Sequence, residues 1–469
     1  MRKAFILLFT FLYMITAAAC STGAGNGNGN AAQSPQGDQT TKPPGQGETV
    51  GAPSTTEKKT VVFSTFFPDD FFKEAKQKYE ALHPNITIEL QSIESDDANL
   101  EAALEKFVKT TNTALLSGKG PDLIEMDQLP SGDYVAKQLL VNMSELIEND
   151  PSFKKEQYFT NVLDGITENG GIYGMPMSFF LFGLFGNKDL LEKSGVNVDD
   201  KTWTWSQFAD TARELAMHTE EANQAVLGGS MPEYTLTQFV NDQYANFVDE
   251  KNGKAKFETA AFADLLAQVK SLYDDKVVSG DIRSIIFRLA QVNSPADYIR
   301  EIRQSEFMPN NRDFKSKLYV KPHSDGLKPG SFFRTYKTIG LNAKSTVKAE
   351  AWDFVKFMIS EEMQSGSKST GFPIHKASYE KSAQELLKIG KVESDQPIGP
   401  MKGQMFEITQ RDIDDLDWFL NHAIYPVQFK PSKIDEILTE ETKAYFSGQK
   451  SAEAVAEIIQ NRVTTVLNE

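Results

Sequence analysis

From Lys59 onward the chain alternates two apolar rhythms, and this alternation narrows the fold more than any other feature. Lys59 to Phe63 is a short β-branched run with strand character, and Phe71, Phe72, Ala75, Tyr79 and Leu82 then recur at helical spacing until Pro84-Asn85 ends the segment. Ile86, Ile88 and Leu90 alternate with polar residues as a second strand does. Leu100, Leu104, Phe107, Ala114 and Leu115 mark one face of a second helix, stopped by Gly118-Lys119-Gly120-Pro121, and Asp122 to Met126 reads as a third strand. Strand and helix in alternation predict a parallel sheet with helices on both faces and a ligand crevice at the carboxyl ends of the strands.

The rest of the chain is punctuated more loosely. A helix is predicted around Tyr134 to Leu140, and Gly170 to Gly174 lead into a long apolar strand, Met175 to Phe185. Thr202 to about Gly280 reads as largely helical, Thr335 to Leu341 as a strand, Lys348 to Ser360 as an amphipathic helix, and Ser432 to Leu467 as two or three helices. No internal repeat is evident. At 469 residues the chain exceeds one ordinary core, so two domains, or two lobes sharing strands, are expected.

The amino terminus is of another kind. Met1-Arg2-Lys3 is a short basic start, Phe5 to Ile15 is apolar but too short to span a bilayer, and Thr16-Ala17-Ala18-Ala19 ends at Cys20, which is the layout of a secretory signal. Cys20 is the chain's single cysteine, so no intramolecular disulfide and no multi-cysteine zinc or iron-sulfur site is expected. Residues 1–20 resemble a bacterial lipoprotein signal whose cysteine is lipidated; Ala17 departs from the leucine commoner there. Residues 21–58 are rich in Gly, Asn, Gln, Ser, Thr and Pro with almost no large apolar side chain, and they are expected to form a disordered tether. Both features put the folded body outside the cell, anchored to the outer face of the cytoplasmic membrane.

Charge and motifs exclude several functions. The formal net charge of -16 lacks the basic stripe that a phosphate backbone requires, so no nucleic-acid partner is expected; the acidity reads as solubility. His83, His218, His323, His375 and His422 show no metal-type spacing, and there is neither a Gly-x-Ser-x-Gly elbow nor a phosphate-cradling glycine loop. A glycoside hydrolase needs two carboxylates facing across a bond. Asp69-Asp70, Asp96-Asp97 and Asp412, Asp414 and Asp415 supply carboxylates, but such clusters read as helix caps or solvated faces. No catalytic residue, metal or cofactor is expected, and the strand-helix alternation disfavours a purely structural adhesin.

A series of stretches, in order, carries a family resemblance. They are Tyr79 to Ile86; Leu115-Leu116-Ser117-Gly118-Lys119-Gly120-Pro121-Asp122; Ile172-Tyr173-Gly174-Met175-Pro176 with Asn187-Lys188-Asp189-Leu190-Leu191; Trp203-Thr204-Trp205-Ser206-Gln207-Phe208; Gly340 to Ser345; Ala351 to Phe357; and Gly371 to Lys376. From about Lys59 to its end the chain resembles the extracellular solute-binding proteins of sugar importers, the family that includes maltose-binding proteins. The resemblance implies an α/β, two-lobed periplasmic-binding-protein-like (type II) clamp with discontinuous lobes and hinge crossovers. Residues 59–183 would begin lobe 1 and 184–333 lobe 2; 334–376 would form a hinge and the return to lobe 1, and 377–469 the helical remainder of lobe 2. It also implies a monomer that binds a small-molecule solute and delivers it to ABC transporter permease subunits; a carbohydrate, an oligosaccharide, is expected, and the alternative is a non-sugar solute, since members of this broad family also bind polyols, phosphorylated glycerol, polyamines or metal complexes.

Sugar sites combine aromatic faces for C–H groups with amides and carboxylates for hydroxyls. Phe66, Phe67 and Asp69 follow the first strand, although Asp69 or Asp70 could instead cap the next helix. Asp127 and Gln128 follow the third strand, and Ser178 and Phe179 lie on the crossover that faces them. Phe333, Arg334 and Tyr336 stand near the second hinge, where Arg334 either meets a ligand carboxylate or bridges the lobes. Trp418 and Phe419 lie where maltose-binding relatives place stacking aromatics, whereas Trp203 and Trp205 read as structural.

Overall fold

The computed structural model describes residues 56–468 except Pro68 and residues 94–98, 218–224, 229, 250–251, 281–284, 305–314, 367–369, 400 and 428–431. Cys20, the signal segment, most of the linker, Asp96, Asp97 and His218 therefore lie outside the described residues.

The strands are β1 (Lys59–Ser64), β2 (Ile86–Gln91), β3 (Leu123–Glu125), β4 (Met175–Asn187), β5 (Ala225–Gly228), β6 (Val248–Asp249), β7 (Lys254–Ala255) and β8 (Val278–Ser279). They continue with β9 (Ile285–Val292), β10 (Ser316–Val320), β11 (Ser331–Leu341), β12 (Phe372–Pro373), β13 (Lys391–Glu393), β14 (Met405–Glu407) and β15 (Ala423–Pro426). Eleven of them form one sheet along the path β2-β1-β3-β11-β4-β9-β5-β8, with β10 and β12 added to β4 and β15 to β11. The strand-helix alternation predicted from Lys59 is present: β1 is parallel to β2 and to β3, with helices Asp70–Leu82 and Leu100–Leu116 between them.

Two long strands connect the halves of this sheet. The first part of β4 pairs with β11 from Met175 to Phe182, and the second part pairs with β9 from Leu181 and with β10 from Gly183. The change of partner falls at Leu181 to Gly183. A side chain on Gly183 would sit 2.8 Å from the Tyr319 carbonyl, so β10 can approach this closely only because the position is glycine. β11 begins four residues earlier than the predicted Thr335 because Ser331 to Arg334 extend the pairing with β4 and β15.

Side-chain alternation sends each strand into two cores. Leu123 joins one cluster and Ile124 another; Phe185 and Leu184 likewise divide, as do Leu318 and Val320 against Tyr319. One cluster runs from Val61, Phe63 and Tyr79 through Phe179 to Tyr298, Tyr379 and Leu416; the second gathers Trp205, Phe208, Phe239, Phe262 and Val463; the third holds Phe66, Phe107, Ile124 and Tyr134. Residues 377–469 contribute to two of these: Tyr379 to Ala423 pack with Ile299 and Ile302 of helix Pro295–Gln304, and Ile434 to Val463 pack in the second cluster.

The sequence landmarks meet in space. Asp122 accepts hydrogen bonds from Val62 N (2.9 Å) and Ser345 Oγ (2.6 Å), while Asn342 Nδ2 donates to the Pro121 carbonyl at 2.9 Å. The glycine-proline-aspartate turn and the Gly340 to Ser345 stretch thus lock β1, β3 and β11 in register. The helix predicted at Tyr134 to Leu140 spans Ser131–Ala136, ending before Gln138, whose φ of 53° is left-handed. Trp203 donates Nε1–H to the Val320 carbonyl at 2.8 Å and is buried, as is Trp205. Among the described residues no helix is long and apolar enough to cross a membrane.

Candidate functional site

The parallel strands β1 and β3 end on the same edge of the sheet, so the loop Thr65 to Asp69 and the turn Met126 to Gln128 emerge side by side. β11 runs antiparallel to β3 with Ile339 opposite Glu125, which brings Lys337 and Thr338 alongside that edge. β4 then sets Ser178 opposite Tyr336 and Phe180 opposite Arg334. These four segments form a crevice floor where the two halves of the sheet join.

Asp69 is the N-cap of helix Asp70–Leu82 and accepts from Phe72 N at 3.2 Å, so it fills the capping role; it also pairs with Lys337 Nζ. Asp127 accepts from Lys337 N (2.6 Å) and Thr338 N (3.0 Å). The pairing of β11 with β4 skips Lys337, whose φ of 53° turns its N–H to Asp127 instead. Such a backbone costs about 1–2 kcal/mol for a residue with a Cβ, which the two bonds to Asp127 and the ion pair to Asp69 offset. Burial raises the Asp127 carboxyl above its usual range despite those bonds.

Glu125, one strand position from the predicted turn, is buried and accepts from Thr65 Oγ1 and from Phe66 N (3.2 Å). Burial, with Asp127 adding to it, pushes its carboxyl up to about 7. Tyr336 is pushed up to about 12 by burial and by Glu125, Asp127 and Asp69 around it. Sequence reading passed over Glu125 because it sits inside an apolar run; a lone carboxylate in Leu123-Ile124-Glu125-Met126 was the available signal.

Arg334 lies over two rings, 5.2 Å from the Phe180 centroid and 5.5 Å from that of Phe182, and donates to Gln291 Oε1 at 2.8 Å. It bridges β11 to β9 across β4. Tyr336 packs on Phe180 at 5.1 Å. Phe179 and Phe333, both expected at the ligand, are instead fully buried and meet each other at 6.3 Å in the core. A strand alternates faces, so Phe180 is on the opposite face of β4; it is also buried, beneath Arg334 and Tyr336. Ser178 is buried and donates to the Thr370 carbonyl at 2.7 Å, tying the third crossing segment to β4. Phe66 is buried and Phe67 stacks edge-on against it at 4.4 Å, remaining 51% exposed; Gln128 is half-buried.

Trp418 and Phe419 stand on helix Gln410–Asn421. Phe419 is buried in the core, and Trp418 stacks on His422 at 4.3 Å with Lys201 Nζ 4.2 Å from its ring. A second group of exposed apolar side chains follows β5 and lies on β9. β5 is parallel to β9, whose carboxyl end at Val292 pairs with Leu181, so β5 also points its carboxyl end at the junction. Met231 and Tyr234 follow it and are 50% and 47% exposed, and Leu289 of β9 is 41% exposed. Hydrogen bonds from Ser230 to Thr235 (2.9 Å) and from Thr235 to Tyr273 (2.8 Å) fix that turn. The signal was an apolar run, Ala225 to Gly228, followed by Pro232 as a helix start within a region read as largely helical.

A cavity of about 400 Å³ lies elsewhere, among Trp205, Gln243, Leu265, Gln268 and Ser324, and none of the crevice residues lines it. Among the described residues no group of three or more His, Cys, Asp or Glu could hold a metal ion.

Sequence comparison matches the family described as bacterial extracellular solute-binding protein over residues 68–365. The chain belongs to that family. Among its relatives, the arabinooligosaccharide-binding protein of Bacillus subtilis (strain 168) is 22% identical over 271 residues, covering 54% of this chain and 57% of that protein. The lactose-binding protein of Rhizobium radiobacter is 25% identical over 228 residues, covering 46% and 51%. The chain thus spans about half the length of the curated relatives it matches. The fold is that of the two-lobed sugar-binding protein MalE from Xanthomonas citri, with TM-score 0.58, 16% identity and coverage of 87% of this chain and 97% of that one. The substrate-binding protein Lmo0181 of Listeria monocytogenes, solved with cycloalternan, gives TM-score 0.53 at 17% identity, covering 88% and 100%.

Proposed function

We propose that this chain is the lipid-anchored receptor of an ABC import system, which captures a carbohydrate, an oligosaccharide, outside the cell and hands it to membrane permease subunits without chemical change. The observation that carries this reading is that every charge on the crevice floor is already compensated. Asp69 is matched by Lys337, Asp127 by two backbone N–H groups, Glu125 by Thr65 and Phe66, and Arg334 by Gln291 and two phenyl faces. Each of these groups is already engaged within the protein, and a neutral solute can use the exposed Phe67, Met231 and Tyr234 for its C–H faces.

In this reading residues 59–183 and 334–376 make one lobe with its hinge, and 184–333 with 377–469 the other, closing by rotation about Leu181 to Gly183 of β4 and the matching part of β11. Cys20 carries the lipid, residues 21–58 supply reach, and the receptor works as a monomer. The relatives named for arabinooligosaccharide and lactose support the ligand class. A thermal-shift screen of the chain from Ser21 onward, against arabino- and malto-oligosaccharides, lactose, polyols, polyamines and peptides, tests it, because a ligand bound only by the folded state raises the Tm. A rise with one glycan series is expected. A rise with polyamines or peptides alone would overturn the ligand class.

A further inference from the structure

Phe67 is an exposed ring on the loop after β1, and what fixes that loop is a single buried side chain. β1 ends at Ser64, and the next two residues are both held by Glu125: Thr65 through its hydroxyl and Phe66 through its backbone N–H. Phe66 in turn packs on Phe107 at 5.5 Å, and Phe67 leans edge-on against Phe66 at 4.4 Å. The carboxylate therefore positions the ring at one remove, through the backbone of the preceding residues. We propose that Glu125 is a positioning residue of the crevice, and that its ionised form holds the loop Thr65 to Phe67 in the arrangement that presents Phe67 to a ligand. This rests on the receptor reading only for its consequence on affinity; the positioning itself stands on the free protein.

The groups facing Glu125 come from every neighbouring segment. Asp127 beyond β3 opposes its ionisation, while Thr65 Oγ1, Phe66 N and, from β11, Lys337 favour it; Tyr336, also on β11, lies close enough to feel its charge. Burial outweighs the favourable groups, and the carboxyl titrates at about 7. Above that pH Oε2 is a carboxylate oxygen that accepts from both Thr65 Oγ1 and Phe66 N. Below it a proton on Oε1 leaves Oε2 a neutral carbonyl oxygen, a weaker acceptor for both bonds, so the two anchors of the loop loosen together. Phe67 is then expected to be less well placed at acid pH.

The test needs no ligand. The full chain, purified in detergent with p-trifluoromethylphenylalanine at position 67, is followed by fluorine NMR from pH 5.5 to 8.5. One titration of the fluorine shift with a midpoint near 7 is expected, abolished in Glu125→Gln and moved upward in Thr65→Val, which removes a donor that favours the carboxylate. A flat response, or the same titration in Glu125→Gln with an unchanged Tm, would overturn the proposal. Binding of maltotetraose and of arabinotriose is then measured by calorimetry at pH 5.5 and 8. For whichever sugar binds, a fall in affinity of severalfold or more at pH 5.5, absent in Glu125→Gln, is expected. Binding of neither sugar alongside the fluorine titration would fault the ligand class and leave the positioning role standing.

Discussion

Phe179→Ala is expected to destabilise the fold by about 3–5 kcal/mol, the range for emptying a buried phenyl site, and to lower the unfolding midpoint in urea accordingly. Phe179 has no exposed surface and is wedged among Phe159, Phe333 and Phe372 at centroid distances of 5.2, 6.3 and 5.8 Å. It lies on β4 where β11 and β12 flank the strand, so the cavity would open beside the segment that joins the halves of the sheet. Phe67→Ala is the counterpart: stability should change by no more than about 0.5 kcal/mol, as for an exposed side chain, while sugar binding weakens. Equal loss of stability from the two would contradict the placement of Phe179 in the core and Phe67 at the crevice.

The second large effect concerns a buried ion pair in the other half of the molecule. Lys321 and Asp242 are both buried, with Nζ 3.8 Å from Oδ1, and Lys321 lies 4.1 Å over the ring of Phe332 on β11. Burial drives the lysine down and the aspartate up from their ordinary values, each opposed by the other's charge. Trp205 and Ser324 favour the charged form of Asp242 through their side-chain N–H and O–H, and His323 lies close enough to add to this, though burial outweighs them. Lys321→Met leaves the aspartate charge uncompensated and should cost about 3–5 kcal/mol, whereas Lys321→Met with Asp242→Leu should be close to neutral. A double-mutant cycle on unfolding midpoints reads this directly. Additive losses would show that the two groups do not act as a pair.

Both sites show what was legible in the sequence. Period-two and helical spacing placed β1 to β3 and their helices, because each carries one clean apolar face. The glycine-proline-aspartate turn and the Gly340 to Ser345 stretch stood out as landmarks, and Asp122, Asn342 and Ser345 join them by hydrogen bonds. β9 and β10 escaped because neither shows a clean alternation: in β9 the adjacent Arg288 and Leu289 are both exposed, and in β10 the three consecutive residues Leu318 to Val320 are all buried. Spacing cannot tell which of Ser178 to Leu181 face outward when four consecutive residues of a strand are apolar or small, and all four are buried. The setting of Glu125 depends on tertiary neighbours that only the packed sheet brings together.

The central claim is that two lobes joined by β4 and β11 close on a solute. Small-angle X-ray scattering of the chain from Ser21 onward, with and without the glycan found by thermal shift, tests it most directly. The account predicts a smaller radius of gyration with the glycan and no release of shorter sugars on prolonged incubation. An unchanged radius at saturation, accompanied by steady hydrolysis of the glycan, would contradict it.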